Sequence, residues 1–156
     1  MRRWLALGRT EPLVGAGGGR RGTSRVRTVL AVGVPTLHDR VMLANGLATG
    51  GLLSSGRLSV GLGVGGRDED YRAVGADLST RTMAHLAETA DVLRRVWAGD
   101  RFGDAALPIG PSPVQPGGPP LLIGTMGPKT LRSAAAWADG MAGVFMAAEP
   151  DPALFQ

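Results

Sequence analysis

GRLSVGLGVGGRDEDY, residues Gly56 to Tyr71, is the stretch whose reading decides the fold. It holds a literal G-x-G-x-x-G at Gly61, Gly63 and Gly66. A dinucleotide-binding fingerprint needs those glycines in a turn, with a helix opening directly at the third. Here Gly61 and Gly63 fall at alternate positions of a strand-like run from Arg57 to Gly65. After Gly66 comes RDEDYRAVG, a charged segment with no 3.6-residue periodicity until Ser79. The stretch therefore predicts a strand, not a phosphate-binding turn. Its glycines either leave room for a flat ligand at the strand's carboxyl end or admit a tightly packed neighbour. In barrels and in open α/β sheets alike, ligands lie at those carboxyl ends.

Upstream, VRTVLAVGV (Val26 to Val34) is rich in β-branched residues and stops at Pro35, which predicts a buried strand. Asp39 is placed to cap a helix over Val41 to Leu53, weakened by Gly46, Gly50 and Gly51. Downstream, Met83, Leu86, Ala90, Leu93 and Trp97 step by three and four, and Gly99 stands where a helix-ending glycine belongs. The proline-rich LPIGPSPVQPGGPP (Leu107 to Pro120) is a loop. LLIG (Leu121 to Gly124) predicts a third strand, a helix is expected from Pro128 through Asp139, and MAGVFM (Met141 to Met146) predicts a fourth strand. Strands alternating with helices build parallel sheets with right-handed crossovers, so the fold class is α/β.

With 156 residues the chain has the length of one ordinary domain. It has no cysteine, which excludes disulfides, thiolate metal sites and thiol nucleophiles. Its two histidines, His38 and His85, are far apart in sequence, and no metal site is expected. The net charge of +4 comes from arginine, since Lys129 is the one lysine. Arginines crowd the first 27 residues, but no run of interleaved aromatic side chains accompanies them, so no nucleic-acid partner is expected. The apolar run after Arg3 is shorter than the ~7–15 residues of a signal-peptide core. Nothing approaches the ~18 apolar residues of a membrane span. A cytoplasmic setting with no membrane partner is the expectation.

LSSGRLSVGLGVGGRDEDYRAVGADLSTR (Leu53 to Arg81), followed by VLRRVWAG (Val92 to Gly99), resembles the luciferase-like monooxygenase family. GPSPVQPGGPPLLIGTMGPKTLRSAAAWADG (Gly110 to Gly140) resembles the same family in its proline-rich loop, short strand and glycine-ended helix. The resemblance covers roughly residues 11 to 148. It implies a (β/α)₈ barrel enzyme that binds FMN or a deazaflavin coenzyme and carries out flavin-linked oxidation of a small-molecule substrate. Because such a barrel takes about 250 residues, this chain is expected to hold only about four central β/α units and not to close the barrel alone. Residues 1–24, with the Gly/Arg-rich GAGGGRRGTS, are expected to be poorly ordered, 25–148 to form the partial barrel, and 149–156 to be a tail. The contrasting expectation is a truncated relative that binds no cofactor and acts by docking to another chain. Open strand edges also predict self-association.

The resemblance places Gly63, Val64, Gly65 and Gly66 beside the flavin, where a wall without Cβ atoms admits the ring or its ribityl tail. It places Gly124, Thr125, Met126 and Gly127 at the cofactor phosphate, with backbone N–H groups and a helix start suited to an anion. The plainer alternatives stay open: packing glycines at the first site, a simple helix cap at Gly127 in the second. Arg67, Asp68, Glu69 and Asp70 are expected in a solvated loop, and His85 and Trp97 are expected to pack in the core or on the surface. No catalytic residue is assigned, because by resemblance the substrate-facing groups come largely from the barrel's first strands.

Overall fold

The computed structural model describes residues 25–125 and 127–142. Four strands, β1 (Thr28–Gly33), β2 (Leu58–Leu62), β3 (Leu121–Gly124) and β4 (Gly140–Ala142), form one sheet in the order β1-β2-β3-β4. Every neighbouring pair is parallel. Helix α1 (Arg40–Leu53) joins β1 to β2, and α4 (Pro128–Ala134) joins β3 to β4. Between β2 and β3 lie α2 (Asp68–Val74), a 3-10 turn at Leu78–Thr80, and α3 (Met83–Ala98). Sequential parallel strands in sequential spatial order are a run of consecutive β/α units, the arrangement of a barrel wall. The expected first segment, residues 1–24, and the tail, 149–156, lie outside the described residues.

Period-two alternation divides the two faces of β2. Leu58, Val60 and Leu62 join Leu121 and Ile123 in the core beneath α1 and α3, where Leu43, Leu47, Leu86 and Leu93 meet them. Each fully buried leucine contributes roughly 1.5–3 kcal/mol by leaving water. Ser59 and Gly61 point the other way. A Cβ at Gly61 would lie 2.9 Å from the Leu30 carbonyl and 3.2 Å from Cβ of Ala142.

Asp39 caps α1 as expected, its Oδ1 accepting from Met42 N at 2.8 Å. Of the glycines that weaken this helix by propensity, Gly50 and Gly51 lie on its packed side. A Cβ at Gly50 would stand 3.0 Å from Leu58 Cδ2, and one at Gly51 3.2 Å from Gln115 Oε1. Helix α3 starts at Thr82, whose hydroxyl accepts from His85 N, and ends at Gly99 with φ 90°. Trp97 ties it to α1 by donating Nε1–H to the Ala44 carbonyl at 3.0 Å.

Four expectations need correction. Strand β1 is Thr28–Gly33 and is not buried: Val29 and Ala31 are exposed and its other residues half-buried. Strand β2 ends at Leu62 and not at Gly65, because the chain turns at Gly65 with φ 70°. The helix from Pro128 ends at Ala134 and does not run through Asp139. Asp139 is drawn away to bind elsewhere: Oδ2 accepts from Leu121 N at 2.8 Å and from Arg94 at 3.0 Å, locking α3 to the start of β3. The charged run Arg67 to Asp70 is not a loop but the start of α2, in which Asp70 and Tyr71 are buried. The fourth strand begins at Gly140, and its expected continuation, 143–146, lies outside the described residues.

Candidate functional site

The carboxyl ends of β1, β2 and β3 form one rim. Parallel pairing of Leu62 with Ile123 puts Gly63 beside Gly124, so the two expected glycine sites are neighbours. Met126 lies outside the described residues; Gly63, Val64, Gly65, Gly66, Gly124, Thr125 and Gly127 can be placed.

These positions differ physically. The register of β1 breaks between Leu30 and Gly33, where the Ala31–Val32 peptide is cis. The Val32 side chain there reaches over the end of β2 to the end of β3. A Cβ at Gly63 would lie 2.9 Å from Val32 Cγ1, and one at Gly124 would lie 2.7 Å from Cγ2. Gly63 and Gly124 thus form a notch that Val32 fills. Gly65 has φ 70°, and its Cβ position lies 3.2 Å from both Val34 methyl groups. Gly66 is exposed, and among the described residues its Cβ position has nothing within 4 Å. Of the four glycines around the β2 and β3 ends, Gly66 is the one that borders open space.

Thr125 turns back on its own loop, Oγ1 accepting from Gly127 N at 3.2 Å. This uses one lone pair, and among the described residues nothing accepts the hydroxyl proton. Pro128 follows at the first helical position, and Lys129 is exposed.

Sequence reasoning overlooked the residue that holds this rim together. Tyr71 is fully buried at 1% exposure and donates from Oη to the Val64 carbonyl at 2.8 Å. Its oxygen also lies 2.5 Å from Thr36 Oγ1, in the 3-10 turn Pro35–Leu37 that follows β1. The available signals were three acidic residues followed by a glycine five positions on, marking a short helix by its ends and not by an apolar stripe. Next to Tyr71, Asp70 is 6% exposed, and its Oδ1 has no hydrogen-bond partner among the described residues. Asp68 pairs with Arg81 at 2.6 Å.

His85 is neither core nor idle surface. Arg40 Nη2 lies 2.8 Å from its Nε2 and 3.2 Å from Glu88 Oε2, a polar link between the first turns of α1 and α3. Among the described residues, two titrating groups are displaced. The Ser79 hydroxyl and then its amide hold the Asp77 carboxyl below the usual range, and Asp100 raises the Arg95 guanidinium. Among the described residues no group of three His, Asp or Glu side chains is arranged to hold a metal ion, and no helix is long and apolar enough to cross a membrane.

Residues 3–153 match the family described as luciferase-like monooxygenase. An uncharacterized protein of Mycobacterium tuberculosis is 34% identical over 138 residues, covering 83% of this chain and 48% of that protein. The F420-dependent glucose-6-phosphate dehydrogenase of Nocardia farcinica is 30% identical over 128 residues, covering 76% of this chain and 38% of that protein. The chain thus spans less than half the length of these relatives. Among solved structures, the monooxygenase RslO1 of Streptomyces bottropensis superposes with TM-score 0.71 at 25% identity, covering 85% of this chain and 43% of that one. A type II Baeyer–Villiger monooxygenase encoded on the CAM plasmid of Pseudomonas putida, solved with FMN, superposes with TM-score 0.69 at 12% identity, covering 86% and 43%. The parallel four-stranded sheet is part of a TIM-type barrel, which the described strands leave unclosed.

Proposed function

The chain belongs to the luciferase-like monooxygenase family, and on that premise we propose that it carries the central part of a deazaflavin- or flavin-linked oxidoreductase acting on a small molecule in the cytoplasm. The observation that carries this reading is Gly66: backbone without a side chain, facing open space at the carboxyl end of a barrel strand. A planar ring system can lie against such a surface where a Cβ would obstruct it.

The fit of the two glycine segments is unequal, and it redistributes the expected roles. Val64, Gly65 and Gly66 would lie along the ring or its ribityl tail. Gly63 and Gly124 would act through Val32, whose methyl groups fill the notch between them and offer an apolar contact. Thr125, Met126 and Gly127 would meet the phosphate, Thr125 donating its hydroxyl proton while its oxygen holds the Gly127 amide. A bound deazaflavin would supply two-electron hydride chemistry at the barrel mouth. The residues of this chain bind and orient; none of the described side chains is assigned a proton-transfer step.

Between the two cofactors, the deazaflavin is favoured. The relative at 30% identity is named for F420, whereas the FMN-bound structure, at 12%, supports the fold alone. The test is a fluorescence titration of the purified protein with F420 and, separately, with FMN. Saturable binding of F420 more tightly than FMN is expected. Tighter FMN binding would reverse the choice, and binding of neither would overturn the reading in favour of a cofactor-free relative.

A further inference from the structure

The side chain that unites the β1 and β2 ends is a phenol outside the expected site. Tyr71 Oη has one proton, and it goes to the Val64 carbonyl at 2.8 Å. The hydroxyl of Thr36, 2.5 Å away, must then be the donor in the second bond, with the phenol oxygen accepting. Thr36 belongs to the turn after β1, Val64 to the segment after β2, and Tyr71 to α2. One buried ring thus joins three segments. It also lies against Gly65: the Cβ position there is 3.8 Å from Tyr71 Cε2 and 3.2 Å from the Val34 methyl groups. Gly65 needs its positive φ to turn the chain toward Gly66, and the carbonyl just before that turn is the one Tyr71 holds. Without that bond Val64 O, half-buried, would be left without its phenol donor.

We propose that Tyr71, with Thr36 as its donor, is a positioning residue that sets the Gly65–Gly66 turn in the conformation that receives the cofactor. The cofactor arm of this inference rests on the function proposed above; the clamp does not. Tyr71→Phe keeps the ring and removes both bonds. Thr36→Val removes only the donor at nearly constant volume, and Thr36→Ser restores it.

Two measurements test it. Amide hydrogen exchange of the free protein reads the clamp: in Tyr71→Phe, residues 63–67 should exchange about tenfold faster, equivalent to about 1.4 kcal/mol of local opening free energy. Exchange in α1 and α3 should be unchanged. Unchanged exchange at 63–67, or faster exchange throughout with a lowered melting temperature, would overturn the proposal, since the ring would then be ordinary core. F420 titration reads the consequence: affinity should fall about tenfold in Tyr71→Phe, by less in Thr36→Val, and return to the original value in Thr36→Ser. Faster exchange at 63–67 with unchanged F420 affinity would overturn the link to the cofactor. If the unmodified protein binds neither F420 nor FMN, the proposed function fails, and the exchange measurement still decides the clamp.

Discussion

At the scale of single residues, the glycines of GLGVGG look alike in sequence and do different work. Gly63 yields to Val32, Gly65 supplies a positive φ, and Gly66 borders open space. This difference selects the informative substitution. Gly65→Val is strained by its backbone and crowded by Val34, so any loss of binding would arrive together with a loss of stability. Gly66→Val meets neither obstacle, since no positive φ is required and no atom lies within 4 Å. Its cost in stability should stay within about 0.5 kcal/mol, as for an exposed position. F420 affinity should nonetheless fall at least about tenfold, because the new side chain occupies the surface offered to the ring. Paired thermal melts and cofactor titrations check this, and undiminished binding would remove Gly66 from the site.

At the scale of elements, α3 and the proline-rich loop meet where the chain leaves no room for a side chain. Gly118, with φ 95°, passes so close to Trp97 that a Cβ there would overlap the indole ring. The ring cannot retreat easily, because Nε1 is bonded to the Ala44 carbonyl and the side chain is 7% exposed. Gly118→Ala should therefore destabilise the protein by about 2–4 kcal/mol, overpacking and left-handed backbone strain acting together. A chemical denaturation midpoint checks it, and a change under about 1 kcal/mol would mean that the loop shifts freely away from α3. Neither helix propensity nor periodicity reveals this contact, since the two residues are 21 positions apart.

For the whole molecule, the consequence of an unclosed wall is exposed apolar surface on its outer strands. Val29 of β1 is 48% exposed and Met141 of β4 is 54% exposed. Apolar edge strands favour pairing with another chain. A polypeptide of these 156 residues is expected to self-associate in solution, with a light-scattering mass at least twice its 16.1 kDa. A monodisperse monomer with one cooperative melting transition would count against that and favour a self-sufficient open sheet.

Local residue patterns carried most of the architecture. Asp39 announced a helix start, the steps from Met83 to Trp97 a helix, Gly99 its end, and the apolar runs of β2 and β3 their strands, because capping, periodicity and burial act over a few neighbouring residues. The GVGG and GTMG segments were legible as strand ends for the same reason, and the register of β2 with β3 brings them together. What the glycines face was not legible. That Val32 fills the notch of Gly63 and Gly124, and that Tyr71 holds Val64 and Thr36 across 35 residues of chain, depends on a break in the β1 register and on a helix too short and too charged to show a periodic signature. A glycine records only the absence of a side chain; what occupies the space is decided by residues distant in sequence, and so by the tertiary structure alone.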